Sequence, residues 1–209
     1  VLLGDRQARR LLAGLGVSSL GDGMSTVTIA WLAVRTAPAG HLGLYVGLAV
    51  AAYTLPGALG AVSLGRYLRR RPARALVLGH CLLRAVLLGA VVLLAAIGAL
   101  SPAAYVALLA GSSLLASWGS AGEYTMLAEI GGEEGKLAAN SLATAQGWLA
   151  TIVGPAVAGV LLARIAPSWL LGFDAASFAF LGVQAWLSQA ETRTVAQPLD
   201  PQAAESGFR

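Results

Sequence analysis

The chain has 209 residues, of which 57% are hydrophobic and 11% charged, and its mean hydropathy is +0.72. An ordinary soluble domain carries about a quarter of its residues as charges, so this composition excludes water as the main solvent of the folded chain. The net charge of +4 does not mark a nucleic-acid binder, because the basic side chains gather in short gaps between apolar runs instead of spreading with aromatics over one face. A single cysteine, Cys81, lies inside an apolar run and excludes an intrachain disulfide framework or a cysteine-based metal site.

In chain order, the first apolar run, 11–34, follows Arg6, Arg9 and Arg10 and at 1.5 Å per residue is about 36 Å long, enough to cross hydrocarbon with some tilt. It is too long for a cleavable signal peptide and lacks a small-residue cleavage site, so it reads as an uncleaved first span starting on the inner side. A short loop with Pro38, Gly40 and His41 leads to a second span, 42–65, which ends at Arg66, Arg69, Arg70, Arg71 and Arg74. That cluster fixes the following loop inside, as a cytoplasmic gate-side loop.

A third span, 75–100, turns at Ser101 and Pro102 without a basic residue, an outer hairpin, into a fourth, 102–128. The acidic, Gly-rich stretch 129–136 reads as an inner loop despite its charge, because Asp and Glu carry little weight in the positive-inside rule. A fifth span, 137–163, a tight connection at 164–167 and a sixth span, 168–187, complete a bundle covering residues 1–187. Of thirteen arginines and one lysine, only Arg35 and Arg164 then fall outside and Arg84 within a span. The tail 188–209 mixes Pro, Gln, Ala and charge and reads as a flexible cytoplasmic linker. With the non-methionine start, it predicts a piece of a longer chain. The fold class is therefore all-α and integral to the membrane, with six transmembrane helices.

A charge at the bilayer centre costs about 2.5 to 3.5 kcal/mol on insertion scales, so each one kept inside a span needs a partner, water or a task. Asp22, in Gly21-Asp22-Gly23, lies midway along the first span, and its glycines allow close approach of another helix. Arg84 lies in the third span four residues after His80, Glu123 in the inner part of the fourth and Asp174 in the outer part of the sixth. Gln146 adds a neutral polar group in the fifth. Two readings stay open: structural ion pairs, such as Arg84 with Asp22 or Asp174, that hold helices in register, or a carboxylate that exchanges a proton as access alternates, Asp22 first and Glu123 second. His80 reads as a polar group near the inner surface and not as a metal ligand, since the only other histidine, His41, lies in an outer loop. No metal is expected.

Pro56 and Pro155 fall inside the second and fifth spans, where each removes a backbone hydrogen bond and kinks its helix. The order Asp22, Pro56, Arg84 followed by Glu123, Pro155, Asp174 forms a weak three-plus-three repeat. An odd number of spans per repeat makes the copies opposite in orientation, as in many secondary transporters.

The stretch Ala150-x-x-x-Gly154-Pro155-x-x-Ala158-Gly159 resembles the antiporter signature of the major facilitator superfamily, with alanine at two of its glycine positions. Ser18-Ser19-Leu20-Gly21-Asp22, Leu55-Pro56-Gly57, Leu83-Arg84-Ala85 and Leu137-Ala138-Ala139-Asn140-Ser141-Leu142 extend the likeness over six spans, toward the bacterial, enterobactin-exporter-like efflux branch. Two departures stand out: Arg69 occupies the place of the family's acidic loop residue in Gly65-Arg66-Tyr67-Leu68-Arg69-Arg70-Arg71-Pro72-Ala73-Arg74, and Glu123 falls where relatives often carry arginine.

The resemblance implies the N-terminal half of a twelve-span fold, six helices in two inverted repeats, multi-pass in the bacterial plasma membrane with both termini cytoplasmic. It also implies a secondary active transporter, not an enzyme and without a cofactor, that exports a small organic molecule, drug-like or a siderophore, by proton antiport. Asp22, Arg84, Glu123, Gln146 and Asp174 would face the cavity, while Gly154, Pro155 and Gly159 would shape the fifth span at a helix interface. Its partners would be membrane lipids, protons, the substrate, and a missing C-terminal half or a second copy. Three rivals remain: a non-transporting relic that binds a partner, which the altered loop fits; a membrane-embedded enzyme, for which no catalytic cluster is seen; and an ATP-driven half, for which no nucleotide-binding glycine loop is seen.

Overall fold

A computed structural model describes residues 6–188 of the chain, apart from the side chains of residues 133 and 134. The linker expected at 188–209 lies, beyond Ser188, outside the described residues. The regular elements described are all helical: α1 Arg6–Thr36, α2 Leu42–Ser63, the single turn α3 Gly65–Leu68, α4 Ala73–Ala96, α5 Pro102–Ser113, α6 Ala116–Leu162 and α7 Pro167–Leu187. Five segments are long and apolar enough to cross a membrane, Leu42–Ser63, Ala73–Ala96, Pro102–Gly132, Gly135–Leu162 and Pro167–Leu187. The chain is an all-α, multi-pass membrane protein. Helix α1, at 31 residues, is as long as the longest of the five but more polar, because Ser18, Ser19, Asp22, Ser25, Thr26 and Thr28 occupy its middle.

The stretch 129–136 is a correction to the sequence reading: it is not a loop. Helix runs through it and reverses at one residue, Gly132, with φ 59° and ψ −173°, a conformation essentially reserved for glycine. Glu and Lys are good helix formers, so the polarity of the stretch was no sign of irregular backbone. The third span is also shorter than expected: α4 ends at Ala96, and Gly98 turns the chain with φ 70°. The fourth is interrupted at Leu114 and Leu115, between α5 and α6.

Helix α1 packs along α6 and α7, α4 packs on α7, α6 and α5, and α2 packs mainly on α5 and α1. Between apolar helices in lipid there is no hydrophobic driving force, so association depends on close van der Waals fit and on polar contacts. The Gly21-Asp22-Gly23 stretch supplies that fit on two sides. A Cβ at Gly23 would collide with the Ala150 carbonyl oxygen, and one at Gly154 would lie 2.6 Å from the Gly23 Cα, so α1 and α6 cross backbone to backbone. A Cβ at Gly21 would lie 2.6 Å from Asp174 Oδ1, so this glycine makes room for a carboxylate of α7. Gly159 was expected at the same kind of interface and is not: it is exposed, with nothing within 4 Å of its Cβ position. It falls five residues, about 1.4 turns, past Gly154 and so points to the other side of α6.

Pro56 removes the amide that would bond the Ala52 carbonyl one turn earlier. The Ser113 hydroxyl donates to that carbonyl at 3.1 Å, and Ser117 Oγ and Trp118 Nε1 donate to the Gly57 and Gly60 carbonyls at 2.9 and 3.0 Å. The kinked helix is thus re-satisfied by its neighbours, as membrane prolines require.

The surface inverts the soluble pattern. Leu44, Leu55, Leu59, Val62, Leu93 and Ile152 are exposed, whereas Ser25, Thr28, His80, Arg84, Asp174 and Ser177 are buried. Large exposed apolar areas rimmed by polar ends mark a lipid-facing surface. At the end of α7, Arg74 donates to the Trp186 carbonyl, an orphan acceptor of a helix terminus. This places Arg74 as a helix cap, whereas Arg66, Arg69, Arg70 and Arg71 are exposed.

The two glycines of the fifth span should separate on substitution. Gly154→Ala is expected to lower the thermal midpoint in detergent by the equivalent of about 1 to 3 kcal/mol of overpacking, while Gly159→Ala leaves it unchanged or raised. Equal tolerance at both positions would contradict the α1–α6 crossing.

Candidate functional site

Two apolar clusters leave a polar layer between them. One joins Leu11, Leu15, Val77, Cys81, Met126 and Leu181; the other joins Ile29, Leu32, Leu88, Val91, Tyr105 and Leu171. Asp22 on α1, Arg84 on α4 and Asp174 on α7 fall between these sets in sequence, and the packing brings them together. The Arg84 guanidinium is ion-paired to Asp22 through Nη2, which also lies 3.8 Å from Asp174 Oδ2. Their side chains are unequally covered, at 5% exposure for Arg84, 0% for Asp174 and 42% for Asp22.

Hydroxyl groups complete the cluster. Ser25 Oγ donates to Asp174 Oδ2 at 2.7 Å, and Tyr53 Oη donates to Asp22 Oδ1 at 2.7 Å while accepting from Arg84 Nη2. The guanidinium also sits over two aromatic faces, 4.7 Å from the Tyr53 ring centre and 4.4 Å from that of Phe178, where the ring quadrupoles attract a cation. Arg84 therefore ties α4 to α1, α2 and α7 at one point. With both acids ionised, the two carboxylates and one guanidinium sum to a charge of −1, which a single proton or cation neutralises.

Two cavities meet at this cluster. The smaller, of about 190 Å³, is lined by Asp22, His80, Arg84, Ser120 and Glu123 among others. The larger, of about 500 Å³, is more open and is lined by Asp22, Tyr53, Thr26, Thr144, Trp148 and Thr151 among others. Asp22, Ser19, Tyr124 and Gly147 belong to both walls, so the partly exposed carboxylate stands at their boundary. Among the described residues Glu123 has no basic group within 4 Å, although it shares the smaller cavity with Arg84.

His80 is buried, 3% exposed in the wall of the smaller cavity and edge-on to Phe178 at 5.2 Å. Gly119 leaves room for the imidazole, since a Cβ there would collide with the ring. Gln146 packs against α1 at Gly16, 3.4 Å from its Cβ position, and is not among the residues lining the two cavities. Sequence reasoning missed Tyr53, Ser25, Phe178 and Trp148. The available signal was an aromatic hydroxyl in mid-span at Tyr53 and a serine three residues after Asp22.

No family model matches this chain, and no curated protein matches its sequence.

Removing Arg84 would leave Asp174 buried beside a second carboxylate. Arg84→Met is expected to destabilise the protein by about 3 to 5 kcal/mol, measured as a thermal or denaturant midpoint in detergent. The double variant Arg84→Met with Asp174→Asn should recover part of that loss. Non-recovery would show that the two side chains are not energetically coupled.

Proposed function

We propose that the chain is the N-terminal six-helix half of a major-facilitator-like exporter, moving a small organic molecule outward by proton antiport and alternating access. The observation that carries this reading is the position of Asp22. It is a partly exposed carboxylate at the boundary of two cavities, in mid-helix, held by a buried arginine that a second carboxylate also approaches. An intramembrane ionisable residue facing a cavity is a candidate functional site by default, substrate paths and proton relays being among its common roles.

In this reading α1 is the first of six spans, joining the five apolar ones, with its polar face turned to the bundle interior and to the cavities. The bundle divides into α1, α2 and α4 against α5 with α6 to Gly132, α6 beyond it, and α7, the two inverted repeats. Binding sites of such transporters lie near the bilayer midplane between repeats, which suits a cluster midway along α1 and α4. The arginine loop faces the cytoplasm of a bacterial cell, with both termini on that side, and the covering partner of the larger cavity is a second six-helix half or a second copy.

The mechanism follows from the charge balance. With Asp22 ionised, the cluster holds Arg84 and one net negative charge; a proton on a carboxylate removes that charge and loosens the Arg84 tie between helices. Because the same cluster joins α1, α2, α4 and α7, a change in its protonation biases how those helices pack.

Efflux from everted vesicles with an imposed proton gradient tests the function. Asp22→Asn is expected to lower the initial gradient-driven rate by about tenfold or more, and Glu123→Gln by less, since the cavity keeps its ion pair. Retention of full gradient-driven transport by Asp22→Asn would remove Asp22 as the coupling site. Orientation is tested separately in a Cys81→Ser background. A membrane-impermeant maleimide should label Arg70→Cys from the cytoplasmic side only and Ala99→Cys from the outer side only, and the opposite pattern would invert the topology.

A further inference from the structure

The walls of the larger cavity also specify the chemistry of its occupant. Its lining carries one charged group, the Asp22 carboxylate, and no Arg or Lys. The adjoining cavity adds Glu123, and its one cation, Arg84, is buried between Asp22 and Asp174. An anion entering here meets two carboxyl groups and finds the one cation already paired, in a medium of low dielectric, where charge interactions are far stronger than in water.

Most of the hydroxyl donors in this wall are also committed within the protein. Thr26 Oγ1 donates to the Asp22 carbonyl at 3.2 Å, Thr151 Oγ1 donates to the Gly147 carbonyl at 2.9 Å, and Thr144 Oγ1 lies 3.3 Å from Tyr124 Oη. Tyr53 Oη is used by Asp22. What the wall offers instead is aromatic surface, from Tyr53, Tyr124 and Trp148, the last 69% exposed. An aromatic wall with one carboxylate is the arrangement that recognises poorly hydrated organic cations. The volume of about 500 Å³ falls within the range of about 300 to 1,000 Å³ usual for drug-sized ligands.

We infer that the larger cavity binds a lipophilic organic cation, a quaternary ammonium, phosphonium or protonated amine, with its charge against Asp22 and its apolar body against Trp148 and Tyr53. This rests on the reading of the cavity as a transport site and narrows it: anionic chelators of the siderophore kind are excluded as ligands of this wall.

The test uses two ions of one shape and opposite charge, tetraphenylphosphonium and tetraphenylborate, each measured alone by equilibrium dialysis against the chain in nanodiscs, with empty nanodiscs subtracted. The phosphonium is expected to bind saturably and at least about tenfold more tightly than the borate, and both Asp22→Asn and Trp148→Ala should weaken it by about tenfold. Asp22→Glu should restore most of the affinity. Equal binding of the two ions, preference for the borate, or phosphonium binding untouched by both substitutions would overturn the inference. If Asp22→Asn is not monodisperse, the charge preference of the unaltered chain and the Trp148→Ala variant decide it. Because dialysis needs no gradient, saturable cation binding without gradient-driven efflux sinks the exporter reading and keeps this one; gradient-driven efflux of neutral or anionic compounds without cation binding does the reverse.

Discussion

Arg84 is the residue on which the arrangement depends. A guanidinium cannot lose its proton at any pH the protein meets, so placing it in the middle of α4 commits the fold to surrounding it. The chain does so with an acid from α1, another from α7, a phenol from α2, and the faces of Tyr53 and Phe178. Helices that have no hydrophobic reason to associate in lipid are thereby fastened at one level. The apolar clusters on either side of the layer keep its buried part, Arg84 and Asp174, in a low-dielectric setting, which strengthens the electrostatic contacts there. Buried ion pairs are poor sources of net stability but costly to break, and a cluster of this kind sets helix register at the same time as it sets charge.

The small residues around the cluster are what bring the charges within reach. Gly23 and Gly154 let α1 and α6 touch at the backbone, and Gly21 gives the Asp174 carboxylate its space beside α1. With side chains at those positions the helices would stand apart and the charges would lie beyond pairing distance. The polar middle of α1, which makes it the least apolar of the long helices, follows from the same placement: α1 packs along both α6 and α7 and shows much of its surface to protein and cavity instead of lipid.

Much of this was legible in the sequence because membrane solvent leaves a coarse record. Apolar run lengths marked the helices, and the cost of intramembrane charge singled out Asp22, Arg84 and Asp174 as residues that must find one another. The glycines flanking Asp22 announced the close approach. What was not legible depended on angle and side. Residues 129–136 read as a loop because the stretch is acidic and Gly-rich between two apolar runs, whereas Glu and Lys continue a helix and Gly132 alone reverses it. Gly159 looked equivalent to Gly154 by motif, yet 1.4 turns of helix separate an interface from an exposed surface. Tyr53 escaped because a tyrosine in an apolar run is ordinary, and only the contact with Arg84 and Asp22 gives its hydroxyl a task. His80 escaped in part for the same reason, since its depth depends on the groove left at Gly119.

The proposal that proton and substrate share the cluster's negative charge is tested most directly by proton release from the purified protein. In weakly buffered detergent solution with a pH indicator, adding tetraphenylphosphonium should release protons, up to roughly one per chain, and Asp22→Asn should abolish the release, because ligands that compete for one charge are thermodynamically linked. Saturable binding of the cation with no proton release at any pH between 5 and 9 would contradict the claim and leave Arg84, Asp22 and Asp174 as a structural tie alone.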